Sequence, residues 1–370
     1  MVYIQNRKCI KTQIIRNMSK LLSIIIPVYK VEPYINKCLD SLLLYTTDKA
    51  GKQVLDRERM EQMDILIIND GTPDRSAEMS REYVKRYPEY FRQIDKENGG
   101  HGSVWNMGVM EAKGKYIKFL DSDDWLQNLD KFIDMLQQTD SDLILTSTRC
   151  HCENNEVWKQ NILEMEFYHP YDTDTFDWLG NPTHNYLLHH CCCYKTTVFR
   201  QYMPGLFLEK QPYDDVVLWP AAMIGAKTIE AFDFSLYNYL MDRPGQSISL
   251  EVQQKHLWAH IKTQKHTIEF YEKHPVKAGT TKDQFIRHRL PRSYNSYYRQ
   301  CIEYPYYDGK KLAKGWDEWV KATNPQMKTI WIKMYRSMPY CMYFLLMKCI
   351  QILVAIKVKL KTNTGAYSAD

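Results

Sequence analysis

Three apolar runs, each followed by a polar turn and a helical pattern, constrain the fold of this 370-residue chain more than any other feature. They are Leu22–Tyr29, Asp64–Ile68 and Lys115–Leu120. Short runs of continuous apolar character are typical of strands that are buried on both faces of a parallel sheet. Repeated strand–helix–strand units therefore predict an α/β fold with a mostly parallel, Rossmann-like sheet flanked by helices.

The alternation continues through a strand predicted at Asp142–Thr146 and loosens after Cys150. From Glu251 onward, long polar–apolar repeats rich in Lys, His and Tyr predict a mainly helical region. The predicted organisation is an N-terminal extension, a two-part α/β domain and a helical C-terminal region: 1–20, 21–250 (halves 21–150 and 151–250) and 251–370.

The net charge of +5 is mild, and no run of Lys and Arg is dense enough for a nucleic-acid platform, so we expect no nucleic-acid partner. Residues 1–20 are basic and lack the apolar core of a secretory signal. We therefore expect a cytoplasmic protein whose ten cysteines stay reduced.

Two cysteine–histidine patterns raise zinc binding as an alternative: Cys150-His151-Cys152 and the run from His189 to Cys193. The Cys-x-Cys spacing is tighter than in most zinc sites, and consecutive cysteines in a strand point to alternate faces. Buried free thiols are therefore the expected state, with a structural zinc site as the alternative.

Polar or aromatic residues end three predicted strands, at what should be one edge of the sheet: Pro27 and Tyr29, Asp70, and Asp121 with Asp123. In an open α/β sheet, ligands bind beyond the carboxyl ends of the strands. Each turn alone is ordinary, but three at one edge indicate a binding site. Paired carboxylates suit Mn²⁺ or Mg²⁺, which neutralises a diphosphate leaving group.

Two common nucleotide-binding motifs are missing from the sequence. No Gly-x-Gly-x-x-Gly follows the first strand, which argues against a dinucleotide-binding Rossmann domain. There is also no Gly-x-x-x-x-Gly-Lys-Ser/Thr, which argues against a P-loop NTPase.

Four segments, across about residues 20–147, resemble glycosyltransferase family 2 in order and spacing: Ser23–Tyr29, Asn69–Thr72, Asn98–Gly108 and Gly114–Asp124. This resemblance implies a GT-A fold, a nucleotide-sugar donor, a divalent metal ion and inversion at the anomeric carbon. The resemblance implies that the first half of the α/β domain, residues 21–150, would bind the nucleotide-sugar. The second half, residues 151–250, would bind the acceptor.

The resemblance also implies roles for individual residues. Pro27 and Tyr29 would line the nucleoside pocket, and Asp70 matches the acid expected at the base or ribose. Asp121 would lie near the ribose and the metal, and Asp123 would be the principal metal ligand.

An inverting transferase needs a base that takes the proton of the acceptor hydroxyl. The resemblance places it in an acidic pair that opens a helix, and Asp214 with Asp215 fits this description, with Asp215 as the better match. The alternative is that both acids merely stabilise a helix N-terminus.

Three further positions carry less specific signals. Arg243 precedes a segment similar to one in the family and would neutralise the diphosphate, although a surface arginine in a turn is an equal alternative. His101 lies in a glycine-rich loop near the predicted cleft. Asn69 stands where the family usually has a second acid, which leaves the nucleotide preference open.

The predicted activity is transfer of a sugar, expected from a UDP-sugar, to a hydroxyl of a glycan or lipid-linked acceptor in surface polysaccharide or glycolipid assembly. One alternative is a catalytically silent, membrane-associated scaffold that binds nucleotide-sugars. A nucleotidyltransferase is a weaker alternative, because the basic glycine-rich loop that binds its triphosphate is missing.

The segment Met338–Lys361 has an apolar run that Lys348 and Gln351 interrupt, and three lysines follow it. A charge inside the run argues against a membrane span. The sequence predicts either an interfacial helix on the inner face of the plasma membrane or a helix that packs on the core.

Overall fold

The computed structural model describes residues 19–151, 157–160, 166–179, 189–241 and 256–363. The chain divides into two compact units, Met1–Asp283 and Gln284–Asp370. The first unit contains the sheet, and the second is helical in its described part.

The strands are, in chain order, β1 (Lys20–Val28), β2 (Tyr45–Thr47), β3 (Gln53–Leu55), β4 (Met63–Asn69), β5 (Phe91–Asp95), β6 (Gly114–Phe119), β7 (Trp125–Leu126), β8 (Leu143–His151), β9 (Val157–Gln160), β10 (Tyr171–Asp172), β11 (Cys192–Lys195) and β12 (Thr228–Leu240). The helices of the first unit are α1 (Ile35–Asp40), α2 (Arg57–Met60), α3 (Ser76–Arg86), α4 (His101–Glu111), α5 (Leu129–Leu136), α6 (Thr196–Arg200), α7 (Leu218–Gly225) and α8 (Leu257–Lys273). Next come α9 (Thr281–Gln300), α10 (Tyr306–Thr323), α11 (Ile330–Ser337) and α12 (Tyr340–Asn363). Short 3₁₀ helices occupy Asp214–Val217 and Cys301–Glu303.

The main sheet has the strand order β10–β12–β8–β11–β6–β1–β4–β5, with β7 paired to β12 and β9 paired to β8. Strands β6, β1, β4 and β5 form a continuous parallel block, and β12 runs parallel to β8. Strand β11 lies antiparallel between β6 and β8, so β6 and β8 themselves share one direction. The predicted α/β class with a mostly parallel sheet and a helical C-terminal region is confirmed.

The register of the central strands places their carboxyl ends at one edge. Val28 of β1 pairs with Asn69 of β4, and Ile25 of β1 pairs with Phe119 of β6. Because β1 has a parallel neighbour on each side, its inner residues are fully buried, as its apolar run predicts. The turns after all three strands therefore begin at the same edge, which we call the carboxyl edge.

The opposite edge is held by a buried polar network around Asp64, which is 4% exposed. Its carboxylate accepts hydrogen bonds from the Ser23 hydroxyl at 2.6 Å and from the Arg92 guanidinium at 2.6 and 3.1 Å. The backbone N–H of Lys113 also donates to it, at 3.0 Å. This network ties β1, β4, β5 and the residue before β6 together, away from the carboxyl edge.

Candidate active site

Asp121 follows β6 and lies at the centre of the carboxyl edge. One carboxylate oxygen, Oδ2, lies 3.0 Å from His189 Nε2, and the other, Oδ1, lies 3.5 Å from His101 Nε2. The side chain is one-quarter exposed. Burial opposes ionisation of Asp121, yet the charges of His189 and His101 hold the pKa of its carboxyl well below the usual range.

His101 opens α4 and joins Asp121 to a second acid. Its Nδ1 lies 3.1 Å from Oδ2 of Asp214, whose side chain is almost fully buried. Burial alone would lower the pKa of His101, but the charges and hydrogen bonds of Asp214 and Asp121 outweigh it and raise that pKa well above its usual value. A cationic imidazole thus lies between two carboxylates and holds the carboxyl edge against the segment that carries Asp214.

Asp215 follows Asp214 in the 3₁₀ helix that leads directly into α7, where the sequence predicts an acidic pair opening a helix. The preceding residue, Tyr213, has a φ of 63°, a left-handed conformation that is uncommon outside glycine and sets the direction in which the pair enters the helix. Burial, and next the charge of Asp214, raise the pKa of Asp215. Asp215 is joined to Asp121 through the chain neighbour Asp214, which contacts His101.

Asp121, Asp123 and Asp124 offer carboxylate oxygens that lie within 4.8 Å of one another. Asp124 is buried and accepts hydrogen bonds from the Tyr237 hydroxyl at 2.7 Å and the Leu240 N–H at 2.8 Å. Burial, followed by the charges of Asp123 and Asp121, raises the pKa of Asp124 well above its usual value. Asp124 therefore anchors the turn to β12, while the less buried Asp121 and Asp123 face the edge.

Asp70, after β4, has both carboxylate oxygens engaged within the chain. Oδ1 accepts hydrogen bonds from Lys96 Nζ at 2.6 Å and the Gly99 N–H at 2.9 Å, and Oδ2 accepts from the Gly100 N–H at 2.8 Å. The residue is 3% exposed. Its contact with base or ribose stays a prediction, and its observed contacts fix the glycine-rich loop that leads into α4.

The remaining predicted donor-binding residues are placed as follows. Pro27 is half-buried near the end of β1, and the Tyr29 ring, just beyond that strand, is 42% exposed. Both thus lie at the carboxyl edge. Arg243 lies outside the described residues, so its contact with a diphosphate stays a prediction.

The cysteine–histidine run is divided by the structure into two parts with different surroundings. Cys191, Cys192 and Cys193 are buried free thiols, as expected of these residues, and the last two begin β11. His189 and His190 precede that strand, and their ring nitrogens lie near Asp121 rather than near a thiol. Among the described residues, the His/Cys/Asp/Glu groups close enough to hold an ion contain no cysteine.

The place of the two histidines at the site was not predicted from sequence, because it depends on contacts between residues far apart in the chain. Strand β11 pairs with β6, whose end carries Asp121. Lys118 of β6 is fully buried and donates hydrogen bonds to the carbonyl oxygens of His189 and His190, each at 2.7 Å. Burial lowers the pKa of Lys118 to about 8. Lys118, a charged residue inside the buried strand β6, is the sequence feature that could have indicated these contacts.

Comparison with known proteins relates the segment that carries most of this candidate site to a protein family. Residues 23–203 match the profile described as glycosyl transferase family 2. This segment belongs to glycosyl transferase family 2. The matched residues include β1, Asp70, Asp121 and Asp123, and both histidines beside Asp121, whereas Asp215 lies just beyond them.

Two relatives from Bacillus subtilis show how far the family 2 similarity extends. The glycosyltransferase EpsJ, itself uncharacterised, is 41% identical over 111 residues, which are 30% of this chain and 28% of EpsJ. The minor teichoic acid biosynthesis protein GgaB is 29% identical over 182 residues, which are 46% of this chain and 17% of GgaB. The matched segments thus span less than a third of either relative.

A solved structure supports the fold over a longer stretch. Residues 1–349 of Staphylococcus aureus TarS, crystallised in complex with UDP-GlcNAc, superpose with a TM-score of 0.50 and 16% identity. The superposition covers 84% of this chain and 93% of that one. The chain therefore has a GT-A-type α/β fold.

The side chains at the carboxyl edge fit a divalent cation. Two groups of ligand atoms share Asp121: one with Asp123 and Asp124, the other with His189 and His190. His189 is 5% exposed, and its Nε2 lies 3.0 Å from Oδ2 of Asp121. Carboxylate and imidazole ligands on few protein groups suit an ion that completes its shell with phosphate oxygens and water.

Proposed function

We propose that this chain is an inverting glycosyltransferase that moves a sugar from a nucleotide-diphosphate sugar to an acceptor hydroxyl. The observation that carries this proposal is that His101 joins Asp121, which lies beside Asp123, to Asp214, the neighbour of Asp215 in the chain. Like charges at the spacing of Asp121 and Asp123 repel one another, and a bound divalent cation would relieve that repulsion.

In this reaction, the carboxylate of Asp215 accepts the proton of the acceptor hydroxyl. The acceptor oxygen forms a bond to the anomeric carbon as the bond from that carbon to the diphosphate oxygen breaks, and nucleoside diphosphate leaves. A single displacement from the opposite face inverts the anomeric configuration. The raised pKa of Asp215 makes it a stronger base than an ordinary carboxylate.

The donor would lie along the carboxyl edge. Pro27 and Tyr29 would line the nucleoside pocket, with Asp70 behind the glycine-rich loop. Asp121 and Asp123 would hold Mn²⁺ or Mg²⁺, which supplies positive charge to the departing diphosphate when bound. Arg243 would add a guanidinium to that charge. A UDP-sugar is the favoured donor, and the similarity in fold to TarS, crystallised with UDP-GlcNAc, is consistent with it.

The acceptor is proposed to be a glycan or a lipid-linked precursor in surface polysaccharide or glycolipid assembly. The name of GgaB, a teichoic acid biosynthesis protein, is consistent with this class of acceptor. For a lipid-linked acceptor, the second unit would make peripheral contact with the membrane through α12.

The decisive experiment is incubation of the full chain with a panel of nucleotide-sugars and Mn²⁺ or Mg²⁺, with released nucleotide measured. We expect Asp123→Asn to weaken metal-dependent nucleotide binding and Asp215→Asn to lower turnover by about 10²–10⁴ while nucleotide binding persists. Asp130→Asn, at an exposed position in α5, is the matched control and should change neither.

The alternatives give different results in the same assay. Nucleotide binding without release from any donor would favour a silent scaffold. Release of pyrophosphate from a nucleoside triphosphate and a sugar phosphate would indicate a nucleotidyltransferase. Either outcome would overturn the proposed transfer reaction.

A further inference from the structure

Two histidines at the carboxyl edge have no part in the transfer proposed above. Nε2 of His189 lies 3.0 Å from Oδ2 of Asp121, and Nε2 of His190 lies 4.0 Å from the same oxygen. One potential ligand atom from each of the three residues lies within 4.8 Å of the other two. The histidines thus meet the acid that has already been assigned to the cation.

These spacings match those of ligand atoms around a single ion. Nitrogen and oxygen ligands lie about 2.0–2.2 Å from a first-row divalent cation, so neighbouring ligands are about 3 Å apart and opposite ligands about 4.2 Å apart. The contact of Asp121 with His189 corresponds to neighbouring positions. The longer separation from His190 is close to that of opposite positions.

The His189 ring is buried and has one polar contact direction. It is 5% exposed, and its Nδ1 has no partner in the described chain. The ring packs against Trp105 in an edge-to-face arrangement, with the ring centroids 5.1 Å apart. Nε2 is therefore the atom through which this imidazole meets polar groups, and it is directed at Asp121.

The backbone under both histidines is held by a buried charge. Lys118 Nζ donates to the carbonyl oxygens of His189, His190 and Cys192 at 2.7, 2.7 and 2.9 Å. An ammonium group has three donors, and all three are used on this turn. Burying an ammonium is costly unless it is fully hydrogen-bonded, so the turn is rigidly specified rather than left to pack loosely.

We propose that His189 and His190 supply imidazole ligands to the divalent cation at Asp121 and make the site select Mn²⁺ over Mg²⁺. This inference rests on the proposed function for the presence of a cation at Asp121. Mg²⁺ strongly prefers oxygen ligands, whereas imidazole suits transition-metal ions. Oxygen ligands from Asp121 and Asp123 alone would accept either ion.

The test uses the full chain with Mn²⁺ alone and, in a second arm, with Mn²⁺ and UDP. Pulsed electron paramagnetic resonance of bound Mn²⁺ should show coupling to ¹⁴N from imidazole. We expect His189→Gln and His190→Gln each to weaken Mn²⁺ binding by about tenfold or more, while Mg²⁺ binding changes little. The matched control is His169→Gln, an exposed histidine whose ring contacts Tyr171, and it should bind Mn²⁺ normally.

Bound Mn²⁺ without nitrogen coupling in the unaltered chain would overturn the inference, and this measurement does not depend on how a variant folds. Unchanged Mn²⁺ affinity in both variants would also overturn it. Circular dichroism and thermal unfolding identify a variant that has lost its fold.

The two proposals fail in different ways. Nitrogen coupling without turnover of any donor would refute the proposed reaction and leave the ligand assignment standing. Turnover supported equally by Mn²⁺ and Mg²⁺, with no nitrogen coupling, would refute only the ligand assignment.

Discussion

Gly102, in the first turn of α4, lies so close to the backbone of Leu208 that a Cβ atom there would overlap the Leu208 carbonyl group. The same Cβ would lie 3.0 Å from the carboxylate of Asp214. The glycine therefore allows α4, which carries His101, to approach the segment that carries Asp214. Because Gly102 has no side chain, His101 can contact both Asp121 and Asp214.

We expect Gly102→Ala to separate these two segments, because backbone cannot yield as a flexible side chain does. Transfer activity should fall by about tenfold or more, and the free energy of unfolding by about 1–3 kcal/mol. Sugar transfer assays and urea unfolding measure the two effects.

Gly315→Ala is the matched control, since Gly315 is also helical but has open space around its Cβ position. There the alanine should raise the free energy of unfolding by about 0.5–1 kcal/mol and leave transfer unchanged. If Gly102→Ala behaves like this control, the close approach has no functional role.

At the same scale, local sequence patterns indicate some residues of the candidate site and not others. Asp121, Asp123 and Asp215 follow a strand or open a helix, and each can be recognised from its own neighbours. The contacts of His189 and His190 with Asp121 require β11 to lie beside β6, a pairing of residues far apart in the chain. No local pattern in the sequence indicates that β11 pairs with β6.

Among the elements, the ends of β1, β4 and β5 opposite the site are joined by the buried network of Asp64. Burial opposes ionisation of Asp64, but hydrogen bonds from Arg92 and Ser23 hold the pKa of its carboxyl below the usual value. The folded-state pKa is therefore lower than the unfolded one, about 3.9. The resulting stabilisation is present above that value and is lost as pH falls through the folded-state pKa.

Asp64→Asn should lower the free energy of unfolding by about 3 kcal/mol at neutral pH, because it leaves Arg92 partly buried without its anion. The difference in the free energy of unfolding between the variant and the unaltered chain should become smaller as pH falls below about 4. Urea unfolding across this pH range measures it.

Glu82→Gln gives the comparison for an exposed ion pair, since Glu82 and its partner Lys85 are 64% and 70% exposed. This substitution should lower the free energy of unfolding by less than about 1 kcal/mol at every pH. A pH-independent difference for Asp64→Asn would contradict a role for its charge.

Two strands of the sheet, β5 and β11, lack a strong sequence signal for different physical reasons. Strand β5, Phe91–Asp95, lies at the edge of the sheet, and most of its side chains are polar and partly exposed, so its sequence lacks an apolar run. The central strands were predictable because burial on both faces demands continuous apolar character. Strand β11 is short and runs against its neighbours, and neither property has a strong sequence signal.

At the scale of the whole molecule, α12 of the second unit has two unlike faces. Tyr340, Tyr343 and Met347 are buried, whereas other apolar residues of the helix are exposed: Met342, Leu345, Leu346, Ile352 and Leu353. No helix in the described part of the chain is long and apolar enough to cross a membrane. An exposed apolar stripe followed by lysines is typical of a helix that lies in the interface of anionic lipid.

We expect the full chain to bind vesicles that contain anionic lipid, and Leu345→Ser with Leu353→Ser to weaken this binding by about tenfold or more. Each leucine that leaves water contributes about 1.5–3 kcal/mol if fully buried. Co-sedimentation with vesicles measures the bound fraction.

Tyr45→Ser is the matched control, because Tyr45 is 54% exposed and lies in β2 of the first unit rather than in α12. It should bind vesicles as the unaltered chain does. Equal binding to neutral and anionic vesicles, or no effect of the paired leucine change, would exclude this surface as the membrane contact.

The described cysteines fall into two groups, buried thiols that are protected from reagents and exposed thiols that can react. Cys38, Cys150, Cys191, Cys192, Cys193 and Cys301 are buried, whereas Cys341 and Cys349 of α12 are exposed. Among the described thiols, a maleimide dye added to the native protein would therefore label α12 and leave the sheet unmodified. A fluorophore can thus be attached to the proposed lipid-facing helix without introducing a cysteine, and labelling at β11 would report the opening of the sheet beside Asp121.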